Sequence, residues 1–151
     1  MDSVARRLAR RFDTAELRQI KRLWVRHSIA EDRRDIDGLV ATLAPDCAYE
    51  IVPSGQRWEG HGGARRFYAE LFAAFPDNAF ALSDIVIGPQ GVCEEARLTG
   101  THERDWLEYA GTGRGIDFQV VIFFPWDPAR RLFLGERVHF DPIAAGFMDH
   151  G

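Results

Sequence analysis

The feature that most constrains this chain is a change of hydrophobic period. Over residues 14–75 apolar side chains recur every three or four positions, and from residue 79 onward they alternate with polar ones. The first half therefore predicts amphipathic helices and the second half antiparallel strands, which together form an α+β domain with helices on one face of a sheet. Asp13 or Thr14 can cap a helix whose one face carries Leu17, Ile20, Trp24 and Ser28. A shorter helix follows, with Asp35 as its cap, Ile36, Leu39, Val40 and Leu43 as its stripe and Pro45 as its stop. "CAYEIVPSGQRWEG" reads as a strand, a Ser-Gly turn and a short returning strand, and "HGGARRFYAELFAAFPD" as a third helix that buries Phe67, Leu71, Phe72 and Phe75. Two pairs of strands then turn at Gly88–Gly91 and around Trp126–Pro128.

At 151 residues the chain has the size of one domain, here 1–151 with residues 1–13 as an N-terminal extension, and it can surround a small cavity. Its 46% hydrophobic and 28% charged residues are those of a globular protein. No apolar run reaches the roughly 20 residues of a membrane span, and "MDSVARRLARRF" lacks the apolar core of a secretory signal, so a cytoplasmic protein without membrane partners is expected. Cys47 and Cys93 show no metal-site spacing and are read as reduced, buried thiols. Residues 1–34 carry ten basic and five acidic side chains, against nine and eighteen in the remainder. That basic part reads as one N-terminal helix with a solvated face, because its arginines are not interleaved with stacking aromatics, and no nucleic-acid partner is expected.

Arg137, His139 and Asp141 alternate with Val138 and Phe140, so the three polar groups are expected to share one strand face, which either lines a pocket or forms a solvent-facing row on an edge strand. A meander of similar hairpins carries the end of the strand at Thr101-His102 to the same rim as Asp141. A His beside a carboxylate would fix its tautomer, and the pair could move a proton. His102, His139 and Asp141 also have the composition of a two-His, one-carboxylate metal set, which is a competing reading.

The stretch "GTHERDWLEYAGTGRGIDFQVVIFF" followed by "GERVHFDP" resembles the SnoaL-like polyketide cyclase family of the nuclear transport factor two-like superfamily. The matching features are Gly100-Thr101-His102, Trp106, the Gly111–Arg114 turn, the apolar run Phe118–Phe124, and Glu136, Arg137, Phe140, Asp141 and Pro142. "GGARRFYAELFAAFPD" and "APDCAYE" add to the likeness, which covers about residues 20–145. The resemblance implies a cone-shaped, curved antiparallel sheet with three N-terminal-half helices enclosing a hydrophobic pocket, and a homodimer packed through the sheet. It implies Asp141 as acid/base and His102 as its support, in an intramolecular aldol closure that uses no metal or cofactor. Such chemistry suits a methylene flanked by carbonyls, which a carboxylate desolvated in an apolar pocket can deprotonate. Trp24, Tyr49, Trp58, Phe72, Trp106, Arg137 and His139 are the expected ligand contacts. Isomerase or dehydratase chemistry, or a non-catalytic module that binds a small ligand or dimerises, are the alternatives. The chain departs from the family's Pro-Pro-Thr-Gly loop at Tyr109–Gly113, which bears on the substrate more than on the fold.

Overall fold

The computed structural model describes residues 3–149. Its elements are α1 (Ser3–Leu8), α2 (Thr14–Asp32), α3 (Ile36–Val40), β1 (Leu43–Ile51), β2 (Gln56–Glu59), α4 (Gly60–Ala74), β3 (Ala79–Gly88), β4 (Gly91–Thr101), β5 (Gly115–Asp127) and β6 (Leu132–His139). The six strands form one sheet in the order β2-β1-β6-β5-β4-β3. All neighbours are antiparallel except β1 and β6, which run parallel, so the expected antiparallel sheet is corrected to a mixed one. The chain reaches β6 from β1 through α4 and a three-strand meander, and that crossover fixes the parallel pairing.

The helix starts follow the capping chemistry in the sequence. Asp13 accepts the Glu16 backbone N–H at 2.8 Å ahead of α2, and Asp35 accepts that of Gly38 at 2.9 Å ahead of α3. The basic N-terminal segment is two helices rather than one, because the chain breaks between Leu8 and Thr14. Arg10 crosses that break, with its guanidinium on both Glu16 carboxylate oxygens and on the Pro89 carbonyl. The expected second helix ends at Val40, not at Pro45. Thr42 turns the chain by donating its hydroxyl to the Leu39 carbonyl, and Pro45 falls inside β1, where the register with β6 shifts between Leu43 and Ala48 and no ladder N–H is required of it.

Register shifts also interrupt β3–β4 and β5–β6, and such bulges bend a sheet. Helix α4 packs across β1 and β2, and α2 lies against β3 and β4. Between helices and sheet lies the core, which includes Ile20, Leu39, Tyr49, Ile51, Tyr68, Phe75, Val120 and Phe133. Gly135 brings β1 and β6 into close approach. Its φ is +111° and a Cβ there would collide with the Ala48 carbonyl. Cys47 is buried, and burial pushes its thiol up to about 11, whereas Cys93 is only half-buried; both are free. No helix among the described residues is long and apolar enough to cross a membrane.

Candidate functional site

A cavity lies between the helices and the inner face of the sheet. Its walls come from Ile51 of β1, Phe67 and Leu71 of α4, Phe80 of β3, Leu98 of β4, Val120 and Ile122 of β5 and Val138 of β6, with Trp106, Phe118 and Phe140 toward one end. Its free volume is about 20 Å³, room for about one water molecule, so the lining side chains nearly fill it. Room for anything much larger than water would require lining side chains to move. Two carboxylates open into this apolar enclosure, Glu31 near the C-terminal end of α2 and Glu136 of β6.

Strand parity explains Glu136. On β6 the positions that face the cavity are Glu136, Val138 and, just beyond the strand, Phe140. Arg137 and His139 therefore point the other way. The Arg137 guanidinium lies 4.6 Å over the Phe123 ring, its partner on the outer face of β5, and His139 is exposed. The inward row of β6 is thus Glu136, Val138 and Phe140, and Arg137 and His139 lie on the opposite face.

Glu136 heads a buried polar chain. Its Oε2 accepts the Tyr68 hydroxyl at 2.5 Å, and the Tyr68 oxygen stands 2.8 Å from the Tyr49 hydroxyl and 2.9 Å from His27 Nε2. His27 Nδ1 lies 2.7 Å from the Thr42 hydroxyl. Burial and the Glu136 charge push both phenols well above their ordinary range, so Tyr49 and Tyr68 keep their protons.

Glu31 also borders a second depression, which it shares with Phe80, Trp24, Asp32 and Glu94. The Trp24 indole N–H donates to Glu94 at 3.0 Å. Burial first, and then the Glu136 charge, push Glu94 up to about 7 against the opposing hydrogen bond from Trp24. Glu31 is raised well above the ordinary carboxylate range, chiefly by desolvation and then by the Glu136 and Glu94 charges. The Glu31 and Glu94 carboxyls thus lie close enough to Glu136 for its charge to add to the effect of their burial.

The expected catalytic pair lies elsewhere. Asp141 follows the end of β6, is exposed, and accepts the Ile143 backbone N–H at 2.9 Å in a turn. His102 is buried among rings, 4.9 Å from Phe75 and 5.4 Å from Phe147 between centroids, and its Nε2 has no hydrogen-bond partner. Burial holds its imidazole below the ordinary value, against the Asp105 charge and a hydrogen bond to the Arg104 backbone. No hydrogen bond joins it to Asp141 among the described residues, and Asp141 stands in an exposed turn.

Of the expected aromatic contacts, Trp106 lines the cavity and Trp24 the neighbouring depression. Tyr49 belongs to the hydrogen-bonded chain, Trp58 packs edge-on against Phe67, and Phe72 stacks on Tyr68 beneath the Arg34 guanidinium. Among the described residues no group of three or more His, Cys, Asp or Glu side chains is placed to hold a metal ion, and His102, His139 and Asp141 form no such set. His27, Glu31, Tyr68 and Glu94 are not singled out by the sequence reading, and Glu136 enters it only within the closing Glu-Arg motif and not as a site residue. The signal for them was polar residues at inward positions: His27 and Glu31 continue the stripe of Ile20 and Trp24, and Glu94 shares a strand face with Val92 and Ala96.

The profile of the family described as SnoaL-like polyketide cyclase matches residues 14–130. The chain belongs to the SnoaL-like polyketide cyclase family. Solved structures agree on the fold. A protein provisionally assigned as a SnoaL-like polyketide cyclase from Jannaschia sp. CCS1 is 22% identical, with a TM-score of 0.77 over 89% of this chain and 94% of that one. A SnoaL-like polyketide cyclase from Agrobacterium tumefaciens str. C58 is 16% identical, with a TM-score of 0.69 over 83% and 93%. A provisionally assigned ketosteroid isomerase from Kribbella flavida DSM 17836 is 16% identical, with a TM-score of 0.65 over 83% and 80%. These likenesses fix the nuclear transport factor two-like fold for this SnoaL-like chain. No curated protein sequence is significantly similar to it.

Proposed function

We propose that this SnoaL-like protein is a cofactor-independent acid/base enzyme that transfers protons on a small, apolar, carbonyl-bearing compound, by ring closure of the aldol type or by isomerisation. The observation that carries this reading is the apolar cavity into which the Glu31 and Glu136 carboxyl groups open. A methylene flanked by carbonyl groups is acidic enough for a carboxylate stripped of water to deprotonate. A neighbouring carboxyl group that keeps its proton can then protonate the resulting enolate or alkoxide. Glu136 is the base in this scheme. Glu31, raised by burial and by its acidic neighbours, is the acid. The close-packed rings orient the reacting carbons and exclude water.

The test is deuterium uptake at the α-carbon, followed by proton NMR in heavy water, with a panel of aryl ketones, aromatic polyketide esters and steroid-like ketones. Glu136→Gln is expected to lower exchange by about 100-fold or more while binding survives. Exchange at the wild-type rate in Glu136→Gln would sink the assignment.

A second reading keeps Asp141 as the acid/base with His102 in support, and the buried, unpartnered His102 Nε2 favours it. Phe147, in the turn that Asp141 begins, packs on His102 and Trp106 and so links that turn to the His102 ring. Loss of exchange in Asp141→Asn with Glu136→Gln unaffected would select it. The protein is further proposed to act in the cytoplasm as a homodimer through its sheet, where the apolar side chains of Leu82 and Val86 on edge strand β3 are exposed. Ligand binding without turnover in every variant would leave a binding module.

A further inference from the structure

Hydrogen-bond donors around Glu136 can be counted. The Thr42 hydroxyl has one hydrogen and gives it to the Leu39 carbonyl at 2.7 Å. Thr42 can therefore only accept from His27, which puts a hydrogen on His27 Nδ1. The remaining ring nitrogen, Nε2, stands 2.9 Å from the Tyr68 oxygen and 3.5 Å from Glu136 Oε2. With Tyr49 donating to Tyr68, two arrangements complete the chain. In one, His27 Nε2–H donates to Tyr68 and Tyr68 O–H donates to a Glu136 carboxylate. In the other, a protonated Glu136 donates to Tyr68 and Tyr68 O–H donates to a neutral His27. Both contain the same hydrogens, carry the same net charge and saturate the Tyr68 oxygen.

We propose that His27, Tyr68 and Glu136 form a closed proton relay, in which His27 stores the proton that converts the cavity carboxylate into a carboxylic acid. The conversion is balanced. The His27 Nε2–H bond breaks as a new O–H bond forms on Tyr68, and the former Tyr68 O–H bond breaks as one forms on Glu136. No water and no external acid take part. His27 is 2% exposed and Glu136 3%, and Tyr49, Tyr68 and Thr42 are wholly buried, so the chain ends at the Leu39 carbonyl rather than at solvent. It works as a store and not as a channel to bulk water.

Four elements supply the participants: His27 from α2, Tyr49 from β1, Tyr68 from α4 and Glu136 from β6. The rings of Phe124 and Phe133 pack edge-on against His27 and keep it in place. The other titratable groups whose interactions reach Glu136 or its phenols are Glu31 of α2, Glu94 of β4 and Cys47 of β1. They bias the balance between the two arrangements without joining the chain. His27 and Tyr68 are positioning residues in this account, since only Glu136 faces the cavity.

The proposal rests on the proposed role of Glu136 but is tested apart from it, in ligand-free protein. Histidine-selective 15N labelling and long-range nitrogen–proton correlation read the protonation of each ring nitrogen. In the wild type His27 Nδ1 should be protonated, with Nε2 at a shift intermediate between protonated and bare nitrogen. Glu136→Gln, whose amide donates to Tyr68, should move Nε2 to the bare value and leave Nδ1 unchanged. An Nε2 shift identical in the two proteins overturns the relay. In a Tyr68→Phe background Glu136→Gln should no longer move Nε2, and a full response there would also overturn it. If Tyr68→Phe does not fold, the isosteric Glu136→Gln comparison decides alone. Absence of ketone exchange with the nitrogen signature intact would count against the enzyme reading and leave the relay standing.

Discussion

At the scale of single residues, the site is made of polar groups in positions a core would reserve for apolar ones. Glu94 shows the cost. Its carboxyl is raised from 4.5 to about 7, mainly by desolvation. Because the folded value exceeds the unfolded one, folding takes up a proton between those limits. Stability is therefore fully present below pH 4.5, falls as pH rises toward 7 and is flat above, a loss of about 3 kcal/mol at ~1.4 kcal/mol per pH unit. Glu94→Gln keeps an acceptor for the Trp24 indole. It is expected to unfold at higher urea concentration than the wild type at pH 8 and at the same concentration at pH 4; equal midpoints at pH 8 would contradict the assignment. Glu16 has the opposite sign. Its hydrogen bonds with Arg10, and secondarily with the Trp126 indole, lower its carboxyl, so its stabilisation is present at neutral pH and fades as pH falls below about 4.5.

At the scale of elements, the same Glu16 ties α2 to its neighbours. Its carboxylate accepts from Arg10, beyond the end of α1, and from the buried Trp126 indole of β5 at 2.9 Å. Glu16→Ala leaves that indole N–H unsatisfied and is expected to cost about 1–3 kcal/mol. Arg10→Ala removes a partly exposed ion pair and a hydrogen bond to the Pro89 carbonyl, and should cost about 1 kcal/mol, less than Glu16→Ala. Urea titration of the two variants at pH 7 checks the order, which would be reversed if the ion pair rather than the indole governed. Strand β6 carries the second lesson of this scale. Gly135→Ala forces a Cβ into the Ala48 carbonyl at positive φ, and should prevent stable pairing of β1 with β6. Loss of the cooperative thermal transition is the expected readout. Glu136 owes its inward aim to the strand that this glycine lets approach.

At the scale of the whole molecule, the change of hydrophobic period made the α+β class legible, and capping residues such as Asp13 and Asp35 located two of the helix starts. Turn chemistry placed the hairpin at Pro89-Gln90 as well. The parallel pairing of β1 with β6 was not legible, because it depends on which edge a returning strand joins. The site was legible only in part. Trp106 was found at the cavity, but Arg137 and His139 were set on the inner face, because alternation shows that two faces differ and not which one the helices cover. Glu31 and Glu94 went unremarked because a charged residue on a helix or strand is usually solvated. His27 and Tyr68 became a pair only when α2 and α4 were packed together. The fold thus gathers at one cavity groups that lie far apart in sequence, and the proposed function requires a ketone to bind there. The most direct measurement is a titration of 13C-methyl-labelled protein with acetophenone. The methyl groups of Leu98, Val120, Ile122 and Val138 should shift together and saturate at one concentration, while Val86 and Val121, which do not line the cavity, stay in place. Shifts confined to Val86 and Val121, with the cavity methyls unmoved, would contradict it.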